Sequence, residues 1–243
     1  MILEACNLAK SFGAVRAVAD VSFSVAAGER VAMIGPNGAG KTTCFNLLDG
    51  QLRADAGSIR IDGRDLEGLP PRARFRLGVG RTFQVAETFG SMSVRENVQL
   101  ALLSRERRLG SLWSGLGGEN DALPFLARVG MGDQAERPCA MLAYGDLKRV
   151  EPAIALAGSP RLLLMDEPTA GMAAAARLAL IALARRLVRE RGLAVLFTEH
   201  DMDVVFGAAD RVLVMDRGVL IACGDPASVR QDQRVRDVYL GVD

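Results

Sequence analysis

Hydrophobic positions in the first part of the chain alternate or form short blocks, and these patterns predict mostly β-sheet. The alternation over 21–25 is typical of an antiparallel strand that buries one face. The stretch 31–34 is uniformly apolar and predicts a central strand, whereas 58–62 alternates like an outer strand. The stretch 41–48 has the pattern of a helix. Residues 1–84 are therefore expected to combine sheet with one helix.

The middle of the chain has a different pattern, which predicts helices. Ser93-Val94-Arg95-Glu96 forms a capping box, the usual start of a helix, and this helix is expected to run to about Arg108. Residues 110–120 are rich in glycine and serine and predict a loop. Further helices are expected over 121–130 and from Gly145 onward. The segment from about 85 to 155 is thus predicted to be mainly helical.

The last third of the chain predicts a parallel sheet. Two short apolar stretches, 162–165 and 194–198, have the length and composition of buried strands. Between them lies an amphipathic helix with one shared apolar face, formed by Leu180, Leu183, Ala184 and Leu187. A strand, helix, strand order places the two strands parallel in one sheet. The fold class expected is α/β.

Composition narrows the class of protein without identifying it. The chain has 243 residues, of which 49% are hydrophobic and 24% charged, as in an ordinary folded domain. Its 30 basic and 29 acidic side chains leave a net charge of +1, so nothing favours nucleic acid as a partner. We expect a single domain over 1–243 rather than a disordered chain.

The cysteines and the apolar runs argue against several other classes of protein. The four cysteines stand far apart and only one histidine is present, which argues against a zinc site and against a disulfide framework. The start of the chain lacks the positive charge of a signal peptide, and no apolar run reaches the roughly 18 residues that span a bilayer. The sequence therefore predicts a cytoplasmic protein that contacts a membrane only through partners.

Residues 35–42 match the phosphate-binding pattern G-x-x-x-x-G-K-[ST], directly after a predicted strand and before a predicted helix. In such a loop the backbone N–H groups and the helix N-terminus bind phosphate, and Thr42 offers a hydroxyl to Mg²⁺. Only three of the 30 basic side chains are lysines, and Lys41 stands where a compact ammonium must fit between the β- and γ-phosphates. The alternative is a glycine turn with a purely structural role.

Two carboxylates follow the predicted strand 162–165, at the sheet edge where ligands bind in open α/β folds. We expect Asp166 to hold Mg²⁺ and Glu167 to polarise the attacking water. Acids at such a position also commonly cap a helix, and the phosphate-binding loop upstream argues against that alternative. His200 follows the strand 194–198, so it should lie at the same edge and is a candidate for contacting the γ-phosphate.

With these motifs the chain resembles the nucleotide-binding subunits of ATP-binding cassette (ABC) transporters, over nearly its whole length and in the family's order. The resemblance implies that Phe12 stacks on adenine, that Gln84 is the Q-loop residue near Mg²⁺ and the reacting water, and that His200 is the switch histidine. It implies that the nucleotide is bound by Gly35, Pro36, Asn37, Gly38, Ala39, Gly40, Lys41, Thr42 and Thr43. It also places the Walker B acids at Asp166 and Glu167, and the signature at Ala143, Tyr144, Gly145 and Asp146.

A narrower resemblance is to the ATP-binding subunits of branched-chain amino acid importers. It rests on Gly80-Arg81-Thr82-Phe83-Gln84, Leu142-Ala143-Tyr144-Gly145, Ala170-Gly171-Met172, Glu199-His200-Asp201-Met202 and Val238-Tyr239-Leu240-Gly241. Relatives that import urea or short amides look similar. The implied function is ATP hydrolysis that powers import of branched-chain amino acids or of related amino acids, amides or urea.

The family resemblance also implies the architecture and the partners. The fold would be a P-loop α/β core with an N-terminal antiparallel β-subdomain and a helical subdomain at about 85–155. Each ATP would lie between one subunit's Walker A loop and the signature of a second cassette subunit, expected to be a different chain, with a homodimer as the alternative. Permease subunits would attach near Gln84 and the helical subdomain, and an extracytoplasmic solute-binding protein would act indirectly. The chain would lie peripherally on the cytoplasmic face of the inner membrane.

Several positions depart from the family pattern. The serine hydroxyl of the usual signature is missing at Ala143, and Asp146 replaces glutamine. Ala173 stands in the D-loop where Asp or Asn is common, and Pro152 is expected to kink the signature helix. These departures keep open a non-hydrolysing ATP sensor. A soluble ABC ATPase of DNA repair or translation is a second alternative, although such relatives carry coiled coils, zinc modules or two cassettes.

Overall fold

Ten strands form two sheets in the computed structural model, which describes residues 1–82, 88–105 and 121–240. The strands are β1 (Leu3–Phe12), β2 (Val15–Val25), β3 (Arg30–Ile34), β4 (Ala56–Ile61), β5 (Arg64–Asp65), β6 (Val79–Thr82), β7 (Leu162–Met165), β8 (Ala194–Thr198), β9 (Arg211–Asp216) and β10 (Val219–Gly224). The strand order is β2-β1-β4-β5 in the smaller sheet and β10-β9-β3-β8-β7-β6 in the larger one.

The helices within the described residues are α1 (Lys41–Asp49), α2 (Pro71–Arg76), α3 (Val94–Arg105), α4 (Leu123–Arg128), α5 (Tyr144–Ala157), α6 (Ala174–Arg191), α7 (Met202–Ala208), α8 (Pro226–Gln231) and α9 (Gln233–Leu240). Two short 3₁₀ turns, Gly132–Gln134 and Cys139–Met141, lie between α4 and α5. None of these helices has the length and apolar character needed to cross a membrane.

The smaller sheet is antiparallel, as the alternation over 21–25 predicts. Strand β1 is central to it, since it pairs with both β2 and β4. The expectation that 58–62 is an outer strand is wrong, because β4 lies between β1 and the two-residue β5. Its alternating burial arises because one face of the sheet packs on the core and the other faces solvent.

The larger sheet contains the predicted parallel strands. Strand β3 is central, with β8 on one side and β9 on the other, and β7 pairs with β8 and β6 in the same direction. Only β10 runs antiparallel within this sheet of the described chain. Both faces are covered, which explains why β3, β7 and β8 are almost uniformly apolar.

Two apolar clusters cover the two faces of the larger sheet. Residues such as Val31 and Met33 of β3 pack with α1 and the antiparallel sheet. The alternate residues, such as Ala32 and Ile34, pack with the helices α3 to α7. The predicted apolar face of α6 contributes Leu180, Leu183 and Leu187 to this second cluster. Helix α1 is thus held between the two sheets, with the phosphate-binding motif at its start.

The middle segment contains the predicted helices. The Ser93 N–H donates to the Glu96 side chain at 2.7 Å and the Glu96 N–H to the Ser93 hydroxyl at 3.1 Å, which confirms the capping box. Helix α4 lies within the predicted 121–130, and α5 continues through Pro152 to Ala157. The predicted loop at 110–120 lies outside the described residues.

Candidate functional site

The loop 35–40 connects the end of β3 to the start of α1, and two of its glycines are required by close packing within the chain. A Cβ at Gly35 would lie 2.1 Å from the carbonyl oxygen of Met215, and one at Gly40 would lie 2.2 Å from that of Ala17. Gly40 also has a φ of +101° where it precedes the helix. The loop therefore fits closely between β2 and β9, in addition to any contact its backbone makes with a phosphate.

Lys41 is the first residue of α1, and its side chain folds back over this loop. It is only 8% exposed, and its Nζ donates to the carbonyl oxygens of Gly35 at 2.6 Å and Pro36 at 3.0 Å. Burial lowers the pKa of Lys41 below its ordinary value, while the carboxylates of Glu167 and Asp166 act in the opposite direction. The ammonium and the two acids are therefore close enough to form one electrostatic site.

An open cleft lies in front of the loop. Its walls are formed by Val15, Arg16, Ala17, Asn37, Gly38, Ala39, Gly40, Lys41, Thr42, Thr43, Glu167 and Arg217. Phe12 is exposed near the rim, where it faces Val15 across the β1–β2 hairpin. The centroid of its ring lies 5.7 Å from the Nζ of Lys10. Arg16 and Arg217 were not predicted to line the cleft, because both stand in exposed turns or strand ends with no motif around them.

Asp166 and Glu167 follow β7 and are connected by the hydroxyl of Thr198, the last residue of β8. This hydroxyl donates to Asp166 Oδ1 at 2.8 Å and accepts the N–H of Glu167 at 2.9 Å. The second carboxylate oxygen of Asp166 accepts a hydrogen bond from Arg81 Nη2 at 3.2 Å. Both oxygens of Asp166 are therefore fixed, and the carboxylate plane has a defined orientation.

His200 lies at the same sheet edge as the two acids, as the parallel strand order predicts. Its Nε2 is 2.8 Å from Glu167 Oε1, and its side chain is 49% exposed at the mouth of the site. The neighbouring Glu199 is buried and accepts hydrogen bonds from the N–H and the hydroxyl of Thr169 at 2.9 and 2.6 Å. Gln84 lies outside the described residues.

Thr198, Glu199 and Arg81 are functional neighbours that the sequence patterns missed. Thr198 has the pattern of an ordinary strand residue, and Glu199 is hidden beside the more informative His200. The available signal for Thr198 and Glu199 was their position at the end of a predicted buried strand, and the motif 199–202 quoted for the resemblance gave Glu199 no role of its own. Their partners are 30 to 32 positions away along the chain, so the contacts depend on the folded sheet.

The signature residues lie at the start of α5 and not in the cleft. Ala143 is the N-cap residue and has no side-chain oxygen to cap the helix. Asp146 turns toward its own subdomain, where it accepts weak hydrogen bonds from Gln134 at 3.3 Å and Arg149 at 3.5 Å. A Cβ at Gly145 would meet only Ala176, at an ordinary 3.7 Å. Packing within the described chain therefore gives no reason for glycine at this position.

Ala173 stands at the N-cap of α6 and, like Ala143, offers no side-chain hydrogen bond there. Among the described residues that line the cleft, none belongs to the signature at 143–146. One chain therefore contributes the phosphate loop and the acids to this site, and its signature helix presents a separate surface.

The donors near the cleft suit a magnesium ion bound together with phosphate. Within the described part of the chain, no group of three or more His, Cys, Asp or Glu residues could hold a metal by itself. Thr42, exposed in the first turn of α1, and Asp166 are the residues that could offer one hydroxyl and one carboxylate to such an ion. Mg²⁺ is commonly held in this way, by one or two protein oxygens with the remaining positions taken by phosphate and water.

Comparison with known proteins identifies two family matches. The ABC transporter family matches residues 18–170, and the branched-chain amino acid ATP-binding cassette transporter family matches residues 219–243. The high-affinity branched-chain amino acid transport ATP-binding protein LivG of Salmonella typhimurium is 37% identical over 251 residues, which cover 99% of this chain and 98% of LivG. The lipopolysaccharide export system ATP-binding protein LptB of Escherichia coli is 37% identical over 246 residues, with the same coverage.

A solved structure has the same architecture. The ADP conformation of an ATP-binding cassette of an ABC transporter superimposes with a TM-score of 0.85 and 30% identity, covering 99% of each chain. The expected α/β fold with an antiparallel β-subdomain is thereby confirmed, and the fold is one that binds nucleotide.

Proposed function

The chain belongs to the ABC transporter family and is an ABC ATPase, and on that basis we propose that it powers a membrane importer. The proposed substrates are branched-chain amino acids, or related amino acids, amides or urea. The observation that carries this proposal is the match of residues 219–243 to branched-chain amino acid transporters, because this segment lies outside the general ABC match. It comprises β10, α8 and α9, together with the last residues of the chain.

In the proposed site, ATP binds with its phosphates on the loop 35–40 and the N-terminus of α1. The backbone N–H groups of the loop and the helix dipole favour the anionic phosphates. Lys41 exchanges its hydrogen bonds to the carbonyl oxygens of Gly35 and Pro36 for stronger ones to the β- and γ-phosphates. Residues 36–43 surround the phosphates, and Phe12 at the rim stacks on the adenine.

Thr42, Asp166 and Gln84 are the proposed Mg²⁺ ligands. When bound there, Mg²⁺ neutralises negative charge on the β- and γ-phosphates. The chain contributes the orientation of Asp166, whose two oxygens are held by Thr198 and Arg81.

Glu167 is the proposed general base, which accepts a proton from the water that attacks the γ-phosphate. His200 holds the Glu167 carboxylate in place from 2.8 Å and is positioned to contact the γ-phosphate when ATP is bound. Gln84 is proposed to help orient the same water. The chemistry is then mainly positioning and charge stabilisation, as in other phosphoryl transfers.

We further propose that a second cassette subunit completes the site with its signature, as the separation of Ala143 to Asp146 from this chain's cleft favours. A different chain is the expected partner, and a homodimer is the alternative. Permease subunits would contact the region around Gln84 and the helical subdomain at about 85–155 of the single domain 1–243. A solute-binding protein would act outside the membrane, with this chain peripheral on its cytoplasmic face and no role for nucleic acid.

Uptake measurements with labelled leucine, urea and a short amide test the proposed direction and substrate class. Cells with the intact chain should accumulate leucine, or one of the related solutes, and a Glu167→Gln variant should abolish that accumulation. Mass spectrometry of a membrane complex purified through the tagged chain should identify permease subunits. ATP-dependent release of a lipid or solute from the membrane would instead indicate an exporter. Export is the alternative function to test because the chain is also similar to LptB.

A further inference from the structure

Arg81, the third residue of β6, lies between two buried acids from different elements. Its Nη1 donates to Asp49 Oδ2 at 2.5 Å and to Asn46 Oδ1 at 2.7 Å, both on α1. Its Nη2 donates to Asp166 Oδ2 at 3.2 Å. The side chain of Arg81 is 8% exposed, and Asp49 and Asp166 are each 6% exposed. The guanidinium therefore connects the end of the phosphate-loop helix to the proposed metal ligand.

The two acids do not share Arg81 equally. The contact with Asp49 is shorter by 0.7 Å than the contact with Asp166, so Asp49 is the closer of these two counter-charges of the guanidinium. A cation beside a metal ligand normally competes with the metal for the ligand's negative charge. Because Asp49 balances this cation, Asp166 keeps its charge for a ligand while its Oδ2 is still held in position.

We propose that Arg81 and Asp49 act together as positioning residues for Mg²⁺ at Asp166. Arg81 fixes the carboxylate plane with Thr198, and Asp49 prevents the arginine from neutralising that carboxylate. The inference rests on the proposed function, in which Asp166 is a metal ligand. It assigns Arg81 and Asp49 a role in addition to support of the fold.

A second buried arginine shows that the end of α1 has separate structural support. Arg74 of α2 is 4% exposed and donates to the carbonyl oxygens of Leu47 at 2.6 Å, Leu48 at 3.0 Å and Leu69 at 2.9 Å. The bonds to Leu47 and Leu48 satisfy carbonyls at the C-terminal end of α1, and the bond to Leu69 fixes the turn before α2, without contact with Asp166. Arg74 is a matched control, because these hydrogen bonds do not reach Asp166 and it acts on Asp49 only through its charge, which Arg74→Lys preserves.

Asp49→Asn is the sharpest test, since it removes one charge with almost no change of shape. The asparagine Oδ1 can still accept the N–H of Gln51, as Asp49 does at 3.0 Å, while its NH2 group replaces the oxygen that accepts from Arg81, so the hydrogen bond to Arg81 is lost with the charge. Arg81 then loses the acid that it contacts at the shorter distance, so it should compete more strongly with the metal for the charge of Asp166, and metal affinity should fall. Arg81→Lys should also weaken metal binding, because one ammonium cannot reproduce the two-armed contact.

The measurement is the affinity of Mn²⁺, followed by its electron paramagnetic resonance signal, for the full chain saturated with ADP. Asp49→Asn and Arg81→Lys should each weaken Mn²⁺ binding about tenfold or more, the usual size for a group that supports a metal ligand. Arg74→Lys should lower the thermal unfolding midpoint and leave Mn²⁺ affinity unchanged. ADP affinity without metal should stay near wild type in all three variants.

Asp166→Asn distinguishes a failure of the proposed metal site from a failure of the positioning role alone. If it leaves Mn²⁺ affinity unchanged, Asp166 is not a metal ligand and the proposed site itself fails. If Asp166→Asn weakens binding while Asp49→Asn stays within twofold of wild type, the positioning role is wrong. Should Arg81→Lys fail to fold, Asp49→Asn still decides the outcome.

Discussion

Glu167 has a backbone φ of +44°, a left-handed conformation that residues with a Cβ adopt at a cost of about 1–3 kcal/mol. Its surroundings explain how this conformation is kept. The Glu167 N–H donates to Thr198 Oγ1 at 2.9 Å, and its carboxylate contacts His200 at 2.8 Å. The turn after β7 directs Asp166 and Glu167 differently, so that one carboxylate is buried beside Arg81 and the other lines the cleft.

Thr198→Val should therefore disturb both acids. Valine keeps the size and strand preference of threonine but removes the hydroxyl that bonds to Asp166 and to the Glu167 N–H. We expect a loss of about 1–3 kcal/mol in the free energy of unfolding, the cost of leaving buried partners unpaired. ATP turnover should also fall, and Thr198→Ser should retain most of both properties. Equal stability and turnover in the valine and serine variants would show that the hydroxyl is unimportant.

Lys41→Ala should weaken ATP binding and stop transport. The substitution removes the ammonium that lies over the phosphate loop and contributes the main positive side-chain charge there. Titration with a fluorescent ATP analogue measures the affinity directly, and Arg53→Ala, which removes an exposed positive charge that does not line the cleft, is a charge control. Nucleotide affinity equal to that of wild type would contradict the phosphate-loop assignment.

At the scale of single residues, the sequence predicted those functional side chains that follow apolar strands or occur in a motif. Asp166, Glu167 and His200 lie at one sheet edge because parallel strands bring their carboxyl ends together. Arg81 could not be assigned in this way, since its partner Asp166 is 85 positions away. Its position became informative only when β6 and β7 were seen to be neighbours.

Among the elements, β3 and β9 are joined at their starts by a partly buried ion pair. Glu29 precedes β3 and accepts two hydrogen bonds from Arg211 of β9, at 2.7 and 3.1 Å. Burial acts to raise the pKa of Glu29, but hydrogen bonds from Arg211 and from the Ala26 N–H outweigh it, and the pKa is lowered from its ordinary 4.5. The ionised form therefore stabilises the fold.

Glu29→Gln should destabilise the protein in a pH-dependent way. Because the pKa in the folded state is the lower one, the stabilisation is complete above the ordinary pKa and is lost as the pH falls through the folded value. The variant should be less stable by about 1–3 kcal/mol at pH 7, and the difference should shrink toward pH 3. Urea unfolding at several pH values measures this, and a difference independent of pH would contradict the charge-based explanation.

Several elements with uninterrupted patterns were predicted, although β9, which is as apolar as β3, was missed. Strand β3, helix α1 and the capped start of α3 follow directly from local sequence. Strand β1 was missed because its pairing with β2 has register shifts between Ala5 and Ser11, and Asn7 has a φ of +49°. These irregularities break the alternation that identifies a strand. The place of β4 within its sheet depends on which strands pair with it, and the alternation of its own residues does not reveal that.

Across the molecule as a whole, the cleft and the start of α5, which carries the signature, are two separate surfaces of the described chain. The cleft is lined from β2, the phosphate loop, α1 and two turns, whereas α5 begins elsewhere with Ala143. In a pair of cassettes, each site would combine one chain's cleft with the other chain's signature. If the partner is a different chain, the two ATP sites are chemically unequal.

Ala143→Ser tests this arrangement. A restored hydroxyl should add at most one charge-assisted hydrogen bond, worth roughly 1.5 to 3 kcal/mol, to the γ-phosphate held by the partner. The gain should therefore appear at the partner's site. Each Walker B glutamate would be replaced in turn in the assembled transporter, and ATP turnover compared with and without Ala143→Ser. A change confined to the site that contains this chain's Lys41 would exclude completion by a second, different cassette.

The role of Glu167 as general base is tested most directly by ATP hydrolysis in the Glu167→Gln variant of the assembled complex, with bound nucleotide quantified in the same samples. If Glu167 is the general base, phosphate release should fall by at least about 10²-fold while ATP remains bound and the cassette pair stays closed. Glutamine preserves the size of the side chain, so the effect should come from the lost base. Phosphate release at the wild-type rate would show that this carboxylate, held by Thr198 and His200, does not activate the attacking water.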